Sequence, residues 1–531
     1  MPQSQGKPPP MGPPEHWARV DPGRPAVVDS GKVLTYGEWN DLADRLAESL
    51  SQRPFGRRRA CVRSHLSREW FVIKLALAKL SWEHVAVNWR LTAREVRAIL
   101  EDSRPDVFFF DDEIPGPLVE ASAAAGIQPV TAGPADGRAT ALASLVSEPG
   151  PPPRWSGPLN PFVTYSSGTT GTPKGVRKLL TQEEKEHLRQ LRTGASAAQA
   201  RARGWPGRTL LTLPLHHGSG PRAARLCHTR GGTVHLLDRF DPVRALEIID
   251  GERITDWKVV PTMLHRIRAL GDDVLRSFDV SSIRSLSIGS APVPWRLKMW
   301  ACDYFGEVLY EGYGASEIGI VTMMPPGMHR VKPGSCGRVR EHVQIRVLSP
   351  DGKALPRGQQ GELWIKTPRM ITDYLNGPEL TGDVLSPDGF FRTGDIGKLD
   401  EDNFLYIAGR AKEMIIAGGV NIFPAEIEQA LLEHPAVLDA AVVGIPEAEF
   451  GEQVAAFCEV RPDSGLSAGE LLRFVEPNLA PFKRPRLIEF VQELPRNDLG
   501  KVIKDTLRRP YWDGRAPAEP DPELPGHAAR P

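Results

Sequence analysis

Residues 165–176 read Tyr-Ser-Ser-Gly-Thr-Thr-Gly-Thr-Pro-Lys-Gly-Val. Pro161 to Thr164 can run as a strand into this stretch, which then gathers hydroxyls, glycines and a lysine in one loop. Glycines let backbone N–H groups approach an anion, hydroxyls donate to phosphate oxygens, and Lys174 adds charge. A Walker A loop is excluded, because the position five on from Gly168 is Pro173 where that pattern needs glycine. A flexible Ser/Thr/Gly linker would have a looser mix, so the segment reads as a phosphate cradle.

On either side, apolar strands alternate with amphipathic helices. Ala26–Val28, Phe108–Phe110, Thr209–Leu213, Thr233–Leu237, Trp257–Val260, Ser285–Ile288 and Val308–Tyr310 read as strands. Leu42–Leu50, Ala93–Leu100, Val243–Ile249, Met263–Leu270 and Arg296–Tyr304 have helical spacing. This alternation predicts α/β sheets with helical cover. From about Val343 short strands and turns take over, and a smaller α/β unit follows Gly409. The fold class expected is therefore α/β: a large N-terminal region of two α/β subdomains plus a β-rich subdomain, hinged to a small C-terminal α/β domain. The expected boundaries are a Pro-rich tail at 1–14, the large region at 15–408, a hinge at 409–412, a mobile small domain at 413–513 and a tail at 514–531.

The 531 residues carry 66 Lys plus Arg against 66 Asp plus Glu. This balance gives no electrostatic footprint for nucleic acid or an anionic membrane. Five scattered cysteines without a C-x-x-C pair argue against a disulfide framework or a structural zinc site. No signal peptide and no membrane span is expected, which places the protein in the cytoplasm. The basic stretch Lys185–Arg203 reads as a solvated face rather than a membrane-surface helix, since it contains few bulky apolar residues. Oligomeric state is not written in the sequence.

The Tyr165–Val176 loop resembles the phosphate-binding signature of the adenylate-forming enzymes: acyl- and aryl-CoA synthetases, luciferases and peptide-synthetase adenylation domains. Further stretches match in that family's order: Leu213-Pro-Leu-His-His217, Gly289-Ser-Ala-Pro-Val293, Tyr313-Gly-Ala-Ser-Glu317, Thr393-Gly-Asp395, Gly409-Arg-Ala-Lys412 and Pro495-Arg-Asn-Asp-Leu-Gly-Lys501. The resemblance spans roughly Arg24 to Trp512 and is nearest to bacterial acyl-CoA ligases. It implies ATP, Mg²⁺ and coenzyme A as co-substrates or cofactor, and a small-molecule acid as partner, with a carrier protein as another possible acceptor.

By that resemblance the nucleotide lies on Ser166, Ser167, Gly168, Thr169, Thr170, Gly171, Thr172 and Lys174, on Gly289, Ser290 and Ala291, on Tyr313, Gly314 and Ser316, and on Asp395, Arg410 and Lys501. Each type suits its place. Tyr313 offers a ring for a purine, Glu317 a hard carboxylate for Mg²⁺, and Asp395 one carboxylate for two ribose hydroxyls. Lys501, Glu317, His217 and Thr169 would carry the chemistry, Lys412 the hinge, and Gly418–Gly419 the pantetheine tunnel. Taken singly, most of these would be turn or surface residues; their order makes the case. Ser316 stands where the family has threonine, and keeps the hydroxyl.

The activity implied is ATP-dependent adenylation of a fatty, short-chain or aryl acid, then thioester formation with coenzyme A. Nothing acidic occurs in His216–Gly220, which disfavours an amino acid substrate. Ile318, Ile320, Met323 and Met324 would shorten an acyl pocket if they enter it, and core packing explains them equally well. Two other readings stand beside this: activation of nitrite as an AMP anhydride for an aromatic amine, and adenylation without coenzyme A. A non-catalytic nucleotide-binding relative is disfavoured by Glu317, Asp395 and Lys501. The adjacent His216 and His217, read as a strand, would point to opposite faces and so form no metal pair.

Overall fold

The computed structural model describes residues 12–111, 116–133, 137–146, 162–166, 174–177, 206–368, 370–371, 373–377, 381–382, 384–497 and 500–514. It is a mixed α/β protein with a large N-terminal region and a small C-terminal domain.

Two sheets make the α/β part. The first runs, by neighbour, Leu309–Glu311, Ser285–Ile288, Asp256–Val259, Arg208–Leu211, Thr233–Leu236, Pro25–Asp29 and Lys32–Thr35. All its pairings are parallel except the last. The second places Glu83–Val87 and Val107–Phe110 on either side of Arg59–Arg63, all parallel, with the Phe162–Ser166/Lys174–Arg177 hairpin towards one edge. Parallel strands need crossovers, and these are helices buried on one face.

Local chemistry sets where the helices begin. Thr35 and Thr92 form capping boxes with Glu38 and Glu95. Pro242, Pro261 and Pro424 open their helices at the first turn, where a missing N–H costs nothing. The predicted helix at Leu42–Leu50 therefore starts earlier, at Tyr36, while helix Ala468–Val475 gives way to a 3₁₀ turn that holds Pro477. Gly12 donates its backbone N–H to Thr229 and Pro14 opens a helix whose Trp17 is buried.

One apolar core joins the two sheets through helices Tyr36–Ser51 and Arg68–Lys79. A second lies between the first sheet and helices Pro242–Gly251, Pro261–Arg268 and Trp295–Phe305, around Trp257. The β-rich part is an antiparallel sheet of Gln344–Leu348, Gly361–Lys366, Phe391–Leu399 and Leu405–Arg410. Its core takes Ile318 and Val321, and Met324 is also fully buried. These three bulky residues therefore serve packing rather than narrowing a pocket.

A 3₁₀ turn, Ala411–Glu413, leads into the small domain. There the long hairpin Val437–Glu447/Gly451–Val460 carries strand Leu487–Val491 and the short hairpin Ile415–Ala417/Val420–Ile422. Among the described residues no helix is long and apolar enough to cross a membrane.

Candidate functional site

Four neighbouring parallel strands of the first sheet end at one edge, and three of them are followed by a matched segment. His217 follows Arg208–Leu211, Pro261 follows Asp256–Val259, Gly289–Ala291 follows Ser285–Ile288, and Tyr313 follows Leu309–Glu311. Ligands of open α/β sheets gather outside such carboxyl ends. The edge is tight. A Cβ on Gly289 would stand 3.2 Å from the Gly312 carbonyl oxygen, and one on Gly314 would stand 2.1 Å from that of Gly319. Ser290 is exposed and holds φ 73°, a left-handed conformation that serine adopts at a cost.

Tyr313 and Asp395 meet directly. The Tyr313 hydroxyl donates to Asp395 Oδ2, while Arg410 Nε pairs with Oδ1 at 3.0 Å across the β-rich sheet. The carboxylate is buried, and Thr393 Oγ1 accepts the Asp395 backbone N–H at 3.0 Å. Burial, and then the adjacent carboxylate, push the Tyr313 phenol above its ordinary range.

Lys501 arrives from the small domain. A Cβ on Gly500 would come 2.5 Å from Thr262 Oγ1, so glycine lets this loop seat against helix Pro261–Arg268 of the large region. The backbone N–H of Lys501 donates to Asn497 Oδ1 at 3.0 Å, and its ammonium lies in the field of Arg410, Glu413 and Asp395. Burial first, and the Arg410 guanidinium second, hold that ammonium below the ordinary lysine pKa. Lys412 is lowered likewise by burial and Arg410, and senses Lys501 as well. His265 on the same helix senses Asp439 and Arg496, so the two domains approach along this line.

A third group surrounds Tyr374. Lys174 Nζ lies 5.6 Å from its ring centroid, while burial and then the Glu317 carboxylate push its phenol up to about 12. Glu317 is half-buried and no described residue gives its carboxylate a hydrogen bond or ion pair; its backbone oxygen accepts from Ile371. A hard anionic oxygen pair left open in this way fits a divalent cation such as Mg²⁺. Gly314 and Ser316 are exposed at the same edge. Ser167, Gly168, Thr169, Thr170, Gly171 and Thr172 lie outside the described residues, as does Lys185–Arg203. Ser166 ends its strand opposite Lys174.

One expectation about the histidines is corrected. His216 and His217 sit in a turn, not a strand, and their rings lie 4.4 Å apart at 54° rather than on opposite faces. Pro214 and Gly218 break the extended backbone on which the alternation argument rested. His216 is buried and His217 half-buried. Among the described residues no group of three His, Cys, Asp or Glu could hold a metal.

Gly418 and Gly419, at φ 58° and 80°, form the two-residue turn of the short small-domain hairpin. Both are exposed, and Gly418 touches Phe450. The structure does not bring them to the other matched residues. Sequence reasoning missed Thr262 as the seat of Gly500; only the position of Pro-Thr after a strand hinted at it.

The AMP-binding enzyme family matches residues 14–375, and the C-terminal domain of AMP-binding enzymes matches 426–501. The chain is 33% identical to indoleacetate–CoA ligase of Aromatoleum aromaticum over 93% of its length and 96% of the relative. It is also 33% identical to the fatty acid–[acyl-carrier-protein] ligase ScoC of Streptomyces coeruleorubidus, covering 94% and 96%. ATP-bound MatB from Rhodopseudomonas palustris superposes with a TM-score of 0.81 at 29% identity, covering 95% of this chain and all of that one. Matched over most of its length by the family and its curated relatives, the chain belongs to the AMP-binding enzyme family as an AMP-forming ligase.

Proposed function

We propose that the protein adenylates a carboxylic acid with ATP, releasing pyrophosphate, and then transfers the acyl group to the thiol of coenzyme A. The observation that carries this reading is the seating of the Gly500–Lys501 loop on Thr262, within the field of Asp395 and Arg410.

In this reading the adenine stacks near Tyr313 against Gly289–Ala291, and the ribose hydroxyls take over the Asp395 oxygens from Tyr313 and Arg410. The Ser166–Lys174 loop, with Thr169, holds the phosphates. Glu317 would hold Mg²⁺, which neutralises phosphate charge when bound. Lys501 sits where negative charge gathers as the carboxylate oxygen attacks the α-phosphorus and pyrophosphate leaves. Such transfers need positioning and charge neutralisation more than covalent help. His217 lies between acid and nucleotide. Rotation at Lys412 then withdraws Lys501 and presents Gly418–Gly419 for thiol attack on the mixed anhydride, with AMP leaving. A hinge that alternates two catalytic arrangements is a known class of conformational step.

Both named sequence relatives act, by name, on carboxylic acids, which does not favour nitrite. The test is pyrophosphate exchange across fatty acids, aryl acids, amino acids and nitrite, with and without coenzyme A. Exchange with one acid class, and thioester formed only with coenzyme A, is expected. Exchange with nitrite alone would overturn the reading.

A further inference from the structure

Strand Asp256–Val259 alternates. Trp257 and Val259 are buried in the core under helices Pro242–Gly251, Pro261–Arg268 and Trp295–Phe305. Lys258 therefore projects from the opposite face of the sheet. Register aligns it with Ser287 on the next strand and Ser287 with Tyr310 on the one after. This makes a polar row across three strands. The row faces helix Ser219–Thr229, which begins two residues after His217 and whose Arg222 is close enough to influence the lysine.

Lys258 has no hydrogen bond or ion pair to any described residue. Other lysines withdrawn from solvent in the large region have partners: Lys79 meets Asp44 at 2.6 Å, Lys298 meets Glu311 at 2.6 Å, and Lys74 lies 4.4 Å from the Phe162 ring centroid. Burial first, and Arg222 second, push the Lys258 ammonium down to about 8. A half-buried cation that no described residue pairs with is costly unless something else pairs with it. The row lies one residue, about 3.3 Å, below the strand ends, since Val259, Ile288 and Glu311 close their strands. A substrate whose carboxylate sits at those ends would extend down this face.

We propose that Lys258 is a specificity residue of the acid pocket, pairing with a second anionic group on the acid some carbons from the carboxylate that reacts. The substrate class is then a dicarboxylic acid, aliphatic or aryl, rather than a plain fatty acid. This rests on the acid-ligase reading above.

The test compares adipate with monomethyl adipate, and terephthalate with its monomethyl ester, in pyrophosphate exchange by the wild type, Lys258→Met and Lys258→Arg. The wild type should favour each diacid by about tenfold or more, since a site built for a polar partner rejects the analogue lacking it. Lys258→Met should abolish the preference and Lys258→Arg keep part of it. The ratio is internal to each variant, so general loss of activity does not imitate the effect. A wild type that favours the monoesters, or a preference unchanged in Lys258→Met, would overturn the proposal. Calorimetric binding of adipate in the presence of AMP separates the two readings. Adipate bound only when Lys258 is present, without pyrophosphate exchange, would sustain this inference and sink the ligase reading. Exchange with monoesters alone would do the reverse.

Discussion

Two glycine-bearing loops of the small domain stand in opposite situations. The Gly500–Lys501 loop is seated on Thr262, its lysine half-buried and in the field of Arg410, Glu413 and Asp395. The Gly418–Gly419 turn is exposed, and around it Ile416, Val420 and Phe450 remain 49%, 42% and 46% exposed. Large apolar side chains left open together mark a surface that another body covers. On the proposed function, the difference means that one loop is engaged and the other is kept in reserve, the order the two half-reactions require.

The largest way to break that comparison is Lys501→Ala. It should cut adenylate formation by about 10²–10³, the scale for one preorganised charge contact. Thioester formation from preformed acyl adenylate should survive. Equal loss in both half-reactions, measured separately, would end the division of labour between the loops. Next is Gly418→Val. A β-branched residue at φ 58°, crowding Phe450, should slow thioester formation by about tenfold, with a smaller effect on pyrophosphate exchange. A loss confined to exchange would reverse the assignment.

The pH dependence sharpens the engaged side. The Lys501 pKa lies below its ordinary value, so the ammonium is lost as pH rises through that lowered value, and adenylation should decline earlier in alkali than an unperturbed lysine implies. Arg410→Gln removes a neighbouring cation, and the alkaline limb of the exchange profile should move to higher pH. An unmoved limb would detach Arg410 from Lys501. The smallest effect is expected of Ser290→Gly, which relieves a left-handed serine and should stabilise the fold by about 1 kcal/mol, read from thermal unfolding. Destabilisation there would mean that the serine side chain holds the turn.

Much of this was legible in the sequence because it is local. Ser285–Ile288 forms the strand expected of it, and the short strands and turns expected after Val343 are there as Gln344–Leu348 and Gly361–Lys366. The matched segments fall where strands end, as motifs tied to backbone turns must. What escaped depends on distant partners. The capping boxes at Thr35 and Thr92 are local Thr-x-x-Glu patterns, but the neighbour order of the sheets is not encoded in any window. The contact of Tyr313 with Asp395 spans 82 positions, and the Gly500–Thr262 contact joins two domains. Helix Ser219–Thr229, rich in small residues and containing Pro221, lacks a long apolar stripe and was not foreseen. The row of Lys258, Ser287 and Tyr310 exists only once the register is known.

Asp395 connects chemistry to movement. One of its oxygens is held by Tyr313 and the other by Arg410, the residue immediately before the Ala411–Glu413 turn. In the proposed function the ribose hydroxyls of a nucleotide replace one set of donors to this carboxylate with another, and Arg410 is released beside the hinge. Occupancy and domain orientation thereby share a thermodynamic account. Whatever factor the nucleotide contributes to one orientation, that orientation must return to nucleotide affinity. The proposed ribose site is then also a clutch.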